Sequence, residues 1–272
     1  MKIVENVIIG IVQGRLSPPI NGMIQAFPAA TWKEEFKIAS EIGFQAIEFI
    51  FDGPQNPLLD PESRKQIREI VEESGVSICS VSSDYSMHYP LFGSTREETL
   101  KLTTQLIQIC KSLEIPRVGI SFEDNSSIFN EEHREEAISS VTECIRVAED
   151  SGIVLTMETS LYDFNLKEFF NRVSSPNLKV NFDLGNSCAL GEDSPNVIRS
   201  IGDLIGGIHI KDRNKFFGST VPLGEGGVDF RACFEAIKSI NYTGPFVVQG
   251  ARGDDDIKTA QRYLEFVRNH IV

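Results

Sequence analysis

The sequence predicts an α/β fold of the (β/α)8 class, a closed parallel barrel forming a single domain over residues 1–272. Three observations lead there. Eight short runs rich in β-branched residues recur along the chain, and a helical pattern follows each of them. The 272 residues divided among eight units give 34 each, room for one strand, one crossover helix and their loops. No Pro/Gly/Ser-rich linker or composition shift marks a second domain, and no GxGxxG follows the first strand, so nicotinamide binding on an open sheet has no support.

The strand candidates, in order, are Val7–Val12, Ala46–Ile50, Ile78–Ser82, Val118–Phe122, Val154–Met157, Lys179–Phe182, Gly207–Ile210 and Pro245–Val248. Each is a short apolar stretch bounded by loop formers. Between them, Trp32–Ile42 ends at Gly43 and Ser63–Ser74 at Gly75, where glycine terminates a helix. Thr95–Ser112 is long and amphipathic. Glu131–Asp150 follows Asn130, whose side chain can cap the first turn, and precedes Ser151-Gly152. Leu166–Val173, Asn196–Ile201, Phe230–Ile240 capped by Asp229, and Asp255–His270 complete the set. The opening segment, MKIVENVIIGIVQGRLS, has Glu5 before a short apolar stretch and no small-residue cleavage site after it, so it predicts a first strand rather than a signal peptide.

Composition narrows the function. Hydrophobic residues make up 41% and charged residues 24%, enough apolar material for a full core. The net charge of −13 argues against nucleic acid as partner, since phosphate backbones are bound by clustered Lys and Arg. No run approaches the roughly 18 apolar residues of a membrane span. Cys79, Cys110, Cys144, Cys188 and Cys233 are odd in number, scattered and without CxxC pairing, so they read as reduced packing residues and predict a cytoplasmic protein.

Four of the strand candidates end in residues suited to a metal: VLTMETS at Glu158, KVNFDLGNS at Asp183, GIHIKDR at His209 and FVVQGARG at Gln249. In a parallel barrel the C-terminal strand ends share one rim, where active sites sit. Two carboxylates, an imidazole and an amide oxygen suit a divalent ion of the Mn, Mg or Co type, with Zn also admitted. The alternative for any one of these residues is a helix cap or a solvated loop.

The set METS, FDLGNS, HIKDR and LGEGGVDF resembles the xylose isomerase-like TIM barrel superfamily, in particular its sugar and sugar-phosphate isomerase/epimerase branch, over essentially the whole chain. That resemblance implies Glu158, Asp183 and His209 as metal ligands, with Gln249 standing where the family has a fourth ligand, a Glu. It also implies proton abstraction next to a carbonyl through a metal-stabilised enediolate, with Glu158 as both ligand and base. The family's DxxH reads Asp183-Leu184-Gly185-Asn186 here, and Asn186 can bind a hydroxyl but cannot shuttle a proton. Epimerisation commonly uses two opposed carboxylates, so the amide at 249 tilts the expectation toward one-base aldose–ketose isomerisation, unless Glu48 covers the second face.

Other rim residues predict a sugar pocket: Gln13, Arg15 and Ser17 after the first strand, Glu48 after the second, Asp124 and Asn125 after the fourth, and Lys211 with Arg213 after the seventh. A salt bridge between Lys211 and Asp212 is the alternative to substrate contact by Lys211. Arg15, Arg213 and Arg252 fall in the sector where barrels often hold phosphate, which favours a sugar phosphate over a free sugar. LGEGG, with Glu225, predicts either a flexible closing loop or a plain tight turn.

Three other functions compete. A keto-sugar or cyclitol dehydratase would share the metal and the carbanion chemistry. A DNA-repair endonuclease on this barrel would need a histidine-rich zinc cluster, and the chain has only His88, His133, His209 and His270. A non-catalytic sugar-binding barrel would explain the departures at 186 and 249. Homo-oligomerisation through the outer helices is left open by the sequence.

Overall fold

A computed structural model describes residues 7–161 and 163–271; Met1–Asn6, including Glu5, lie outside the described part. Its strands are β1 (Ile9–Val12), β2 (Ala46–Phe51), β3 (Ser77–Ser83), β4 (Arg117–Phe122), β5 (Val154–Thr159), β6 (Leu178–Asp183), β7 (Ile205–Ile210), β8 (Asp212–Arg213), β9 (Thr220–Val221) and β10 (Phe246–Val248). Eight of them close into a parallel barrel in the order β1-β10-β7-β6-β5-β4-β3-β2, while β8 and β9 form a separate two-stranded ribbon. Every residue of β1, β2 and β10 is buried, as expected of parallel strands covered on both faces.

The helices are α1 (Trp32–Ile42), α2 (Pro61–Ser74), α3 (Asp84–His88), α4 (Arg96–Ser112), α5 (Glu131–Ser151), α6 (Asp163–Val173), α7 (Leu184–Ala189), α8 (Ser194–Ser200), α9 (Phe230–Ser239) and α10 (Asp256–Ile271). Their ends follow local chemistry. Asn130 accepts the His133 N–H at 2.8 Å and Asp229 the Ala232 N–H at 3.0 Å, each satisfying an amide that the first turn leaves without a carbonyl. Gly43 closes α1 at φ 99°, a conformation that costs a side-chain-bearing residue far more than glycine.

Cα packing resolves two compact units. The first comprises the chain up to Glu48, Ile70–Ile78 and Phe182 onward. In it β1 pairs with β2 and β10, and β10 with β7, with His209 opposite Val247 and Val12 opposite Glu48. Helix α1 buries Trp32, Glu35, Phe36 and Ala39, a stripe at helical spacing with one carboxylate in it. Helix α10 answers with Ala260, Tyr263, Leu264 and Val267. The second unit comprises Phe49–Glu69 and Cys79–Asn181. There β4 pairs along its full length with β5, and α4 and α5 cover it with Leu106, Ile107, Cys110, Val141 and Cys144.

Every predicted strand is present, with ends shifted by one or two residues. Three features went unpredicted: the short helices α3 and α7 and the β8–β9 ribbon.

Candidate metal centre

Asp183 is the last residue of β6 and the N-cap of α7. Its Oδ1 accepts the Asn186 N–H at 2.8 Å, which fixes the carboxylate plane. Its Oδ2 is fully buried and accepts no well-aligned hydrogen bond among the described residues. Lys211 Nζ lies 3.3 Å and His209 Nδ1 3.9 Å from that oxygen.

His209, 1% exposed, lies in β7 with its Nε2 2.8 Å from Glu48 Oε1, itself on a buried side chain. A carboxylate there accepts the Nε2 proton, which leaves the Nδ1 lone pair on the side of Asp183. Glu48 therefore sits behind the imidazole as its orienting partner, a position different from the substrate contact expected of it. At the end of β5, Glu158 supplies a third donor: one ligand atom each from Glu158, Asp183 and His209 lies within 4.8 Å of the others. Among the described residues this is the single group of three or more His, Cys, Asp or Glu side chains gathered closely enough to hold an ion.

Gln249 follows β10, its N–H donating to the Ile210 carbonyl at 2.9 Å. Its Nε2 donates to Gln25 Oε1 at 2.9 Å, and its buried Oε1 accepts nothing among the described residues. A buried carbonyl-type oxygen without a donor is costly unless a ligand or ion serves it.

The remaining predicted residues separate into two groups. Asn186, Lys211 and Arg213 come together: Asn186 Oδ1 accepts from Lys211 Nζ at 3.2 Å and from Arg213 Nη1 at 2.9 Å. Gln13, Arg15 and Arg252 build the loop after β1. The buried Gln13 donates its N–H to the Glu48 carbonyl at 2.9 Å. Arg15 donates to the carbonyls of Gly250 and Ile24, and Arg252 to those of Ser17, Gly14 and Ile24. The fork expected to face a phosphate is spent, in both residues, on loop carbonyls.

Two residues outside the predicted set shape the surroundings. Glu35, fully buried on α1, accepts the N–H groups of Gly14 at 2.8 Å and Leu16 at 3.1 Å. Burial pushes its carboxyl up to about 7, against the opposing pull of those hydrogen bonds, the Ser17 hydroxyl and the Arg252 charge. The signal was a Glu inside the apolar stripe of a helix. Asp212, also fully buried, accepts Gly224 and Gly226 N–H at 2.9 Å on one oxygen and Val228 N–H at 3.2 Å on the other. The alternative reading of a Lys211–Asp212 salt bridge is not met among the described residues: Lys211 reaches Asp183 and Asn186, and Asp212 the amides of the following loop. LGEGG is accordingly a tight turn pinned by a carboxylate, and a Cβ on Gly226 would lie 2.2 Å from Asp212 Oδ1.

His133 stacks on Phe92 at 4.3 Å, and His270 Nδ1 contacts the Phe266 carbonyl at 2.8 Å, so neither is drawn into a metal cluster of the endonuclease type. No described helix is long and apolar enough to cross a membrane.

Comparison with known proteins agrees with this architecture. The chain is 25% identical over 248 residues to L-ribulose-5-phosphate 3-epimerase UlaE of Escherichia coli (strain SMS-3-5 / SECEC), covering 85% of this chain and 86% of that one. Among solved structures, a xylose isomerase domain protein from Planctomyces limnophilus superposes with a TM-score of 0.79 at 17% identity, covering 97% of both chains. The D-allulose 3-epimerase from Methylomonas sp. gives 0.78 at 17%, over 99% of this chain and 100% of the other. A barrel protein from Mycobacterium smegmatis, solved in complex with magnesium, gives 0.76 at 20%, over 100% and 98%. The expectation of an isomerase agrees with the named relatives, since epimerases are isomerases. The model of the xylose isomerase-like TIM barrel family matches residues 36–270, and this chain belongs to that family.

Proposed function

We propose that this chain is a metal-dependent isomerase of a small sugar or sugar phosphate, acting by proton abstraction next to the carbonyl. The convergence of Glu158, Asp183 and His209 carries the reading. The donor set fits a hard or borderline divalent ion: the Glu158 and Asp183 carboxylates, an imidazole with its lone pair freed by Glu48, and the amide oxygen of Gln249, with Asp183 Oδ2 and Gln249 Oε1 both buried and without a hydrogen-bond donor among the described residues. Glu158, Asp183, His209 and Gln249 would hold the ion, which supplies Lewis acidity for the charge that develops on the substrate oxygens.

The chain's own groups do the rest. Glu158 takes the proton from the carbon next to the carbonyl and returns it to the neighbouring carbon. Gln249 can accept or donate a hydrogen bond but cannot take a proton, and Glu48 is engaged with His209. One base on one face supports aldose–ketose isomerisation. The named relatives favour a second reading, epimerisation at C3 of a ketose, which needs proton delivery to the opposite face.

Titration with manganese or cobalt followed by solvent-deuterium exchange into ketoses and their phosphates tests both. Deuterium incorporation with a new aldose supports isomerisation, and incorporation with an inverted ketose supports epimerisation. Loss of water would identify a dehydratase. Absence of metal binding would sink the enzymatic reading and leave a sugar-binding barrel. We further propose that the barrel acts as one domain and works in the cytoplasm, supported by five free, buried cysteines.

A further inference from the structure

We propose that Lys211 and Arg213 form the recognition site for a dianionic substituent of the substrate, a phosphate group, so that the substrate is a sugar phosphate. The inference rests on the metal-dependent reading above and assigns the phosphate a place in the same site.

The observation is an imbalance of charge. Lys211 Nζ and Arg213 Nη1 both donate to one neutral acceptor, Asn186 Oδ1, at 3.2 and 2.9 Å. Two cations drawn to one amide oxygen repel each other unless an anion lies between them. Among the described residues the single carboxylate within ion-pairing distance is Asp183, 3.3 Å from Lys211 and 1% exposed at its side chain. Arg213 has no carboxylate partner among the described residues, and the neighbouring Asp212 is saturated by three backbone N–H groups. A metal that claimed Asp183 would leave Lys211, like Arg213, without a carboxylate partner among the described residues. In a chain of net charge −13, such a local excess of positive charge suits an anionic ligand.

The two side chains are held for this purpose. The stem of Lys211 lies so close to Gly185 that a Cβ there would come within 2.8 Å of Lys211 Cγ, so residue 185 must lack a side chain for the ammonium to sit where it does. Arg213 is clamped twice, through Nε to the Gly218 carbonyl at 3.0 Å and through Nη1 to Asn186. The clamps use Nε and Nη1 and do not engage Nη2. The remaining Nη2 donors of a guanidinium beside the point charge of an ammonium suit a phosphate dianion better than a monovalent carboxylate. Arg15 and Arg252, the other two arginines of the predicted sector, are committed to loop carbonyls.

The test is calorimetric titration of the magnesium-loaded protein with inorganic phosphate, and separately with acetate, for the wild type, Arg213→Gln and Arg213→Lys. Magnesium affinity and thermal midpoint are recorded for each variant. The expected result is saturable phosphate binding tighter with magnesium than without, weakened at least tenfold in Arg213→Gln and partly restored in Arg213→Lys, with magnesium affinity unchanged. Phosphate affinity equal in wild type and a folded, magnesium-binding Arg213→Gln would overturn the proposal, as would acetate binding as tightly as phosphate. Failure of the wild type to bind magnesium at all would strike the metal-dependent reading instead, which keeps the two failures distinct.

Discussion

Glu158, Asp183 and His209 were legible because each is a polar residue at the end of an apolar run, the one place where a barrel strand opens to its rim. The partner of His209 was not: Glu48 lies 161 residues away in sequence, and no local pattern announces a pair of that separation. Glu48→Gln should replace the anionic partner of the imidazole by a neutral amide and weaken manganese affinity about 10- to 100-fold, measured by competition with a chelating dye. Gln249→Glu makes the fourth donor a third anionic one and should tighten the same affinity about tenfold, equivalent to ~1.4 kcal/mol. In Glu158→Gln, solvent exchange into substrate should vanish while the circular dichroism spectrum is retained; full exchange in that variant would remove Glu158 from the role of base.

The long helices and the strands announce themselves by period and caps, whereas the missed elements are too short to show a period. Helices α3 and α7 have five and six residues, and α7 contains Gly185, a poor helix former. It forms because Asp183 caps it and because a glycine is needed beneath Lys211. The same limit explains why LGEGG reads as mobile in sequence: its rigidity comes from Asp212, whose role requires the β8–β9 ribbon to be in place. Asp212→Ala leaves three amides without an acceptor and should cost about 3 kcal/mol of stability. Hydrogen exchange of Gly224, Gly226 and Val228 should accelerate far more than that of β4 and β5; uniform acceleration would show that Asp212 holds no particular segment.

At the level of the whole molecule, the barrel was readable from the eightfold repetition of strand and helix, since only closure lets eight parallel strands bury both faces without an edge. Two bulk properties follow from the interior. All five cysteines are buried, and burial pushes the Cys144 and Cys233 thiols up to about 12. The folded protein should therefore resist a thiol reagent such as dithionitrobenzoate and release all five thiols only in denaturant. The second property is a pH slope set by Glu35. Below pH 4.5 folded and unfolded chains both hold its proton. Between 4.5 and about 7 the unfolded chain ionises first, so stability falls as pH rises across that window, by on the order of 3 kcal/mol, and then levels. Urea midpoints measured from pH 4.5 to 8 should show this decline in the wild type and a flatter profile in Glu35→Gln.

The five residues His209, Ile210, Lys211, Asp212 and Arg213 alternate in direction: His209, Lys211 and Arg213 reach toward Asp183 or Asn186, while Ile210 and Asp212 are fully buried, with Asp212 tying down the next loop. Because successive side chains of an extended segment face opposite ways, the frame matters as much as the content. A one-residue deletion here would turn the carboxylate toward Asp183 and thrust a cation into the socket of three amides. Substitutions within this stretch are graded in their damage. A shift of its frame would disable metal centre and loop together, so length here should prove the least negotiable property of the chain.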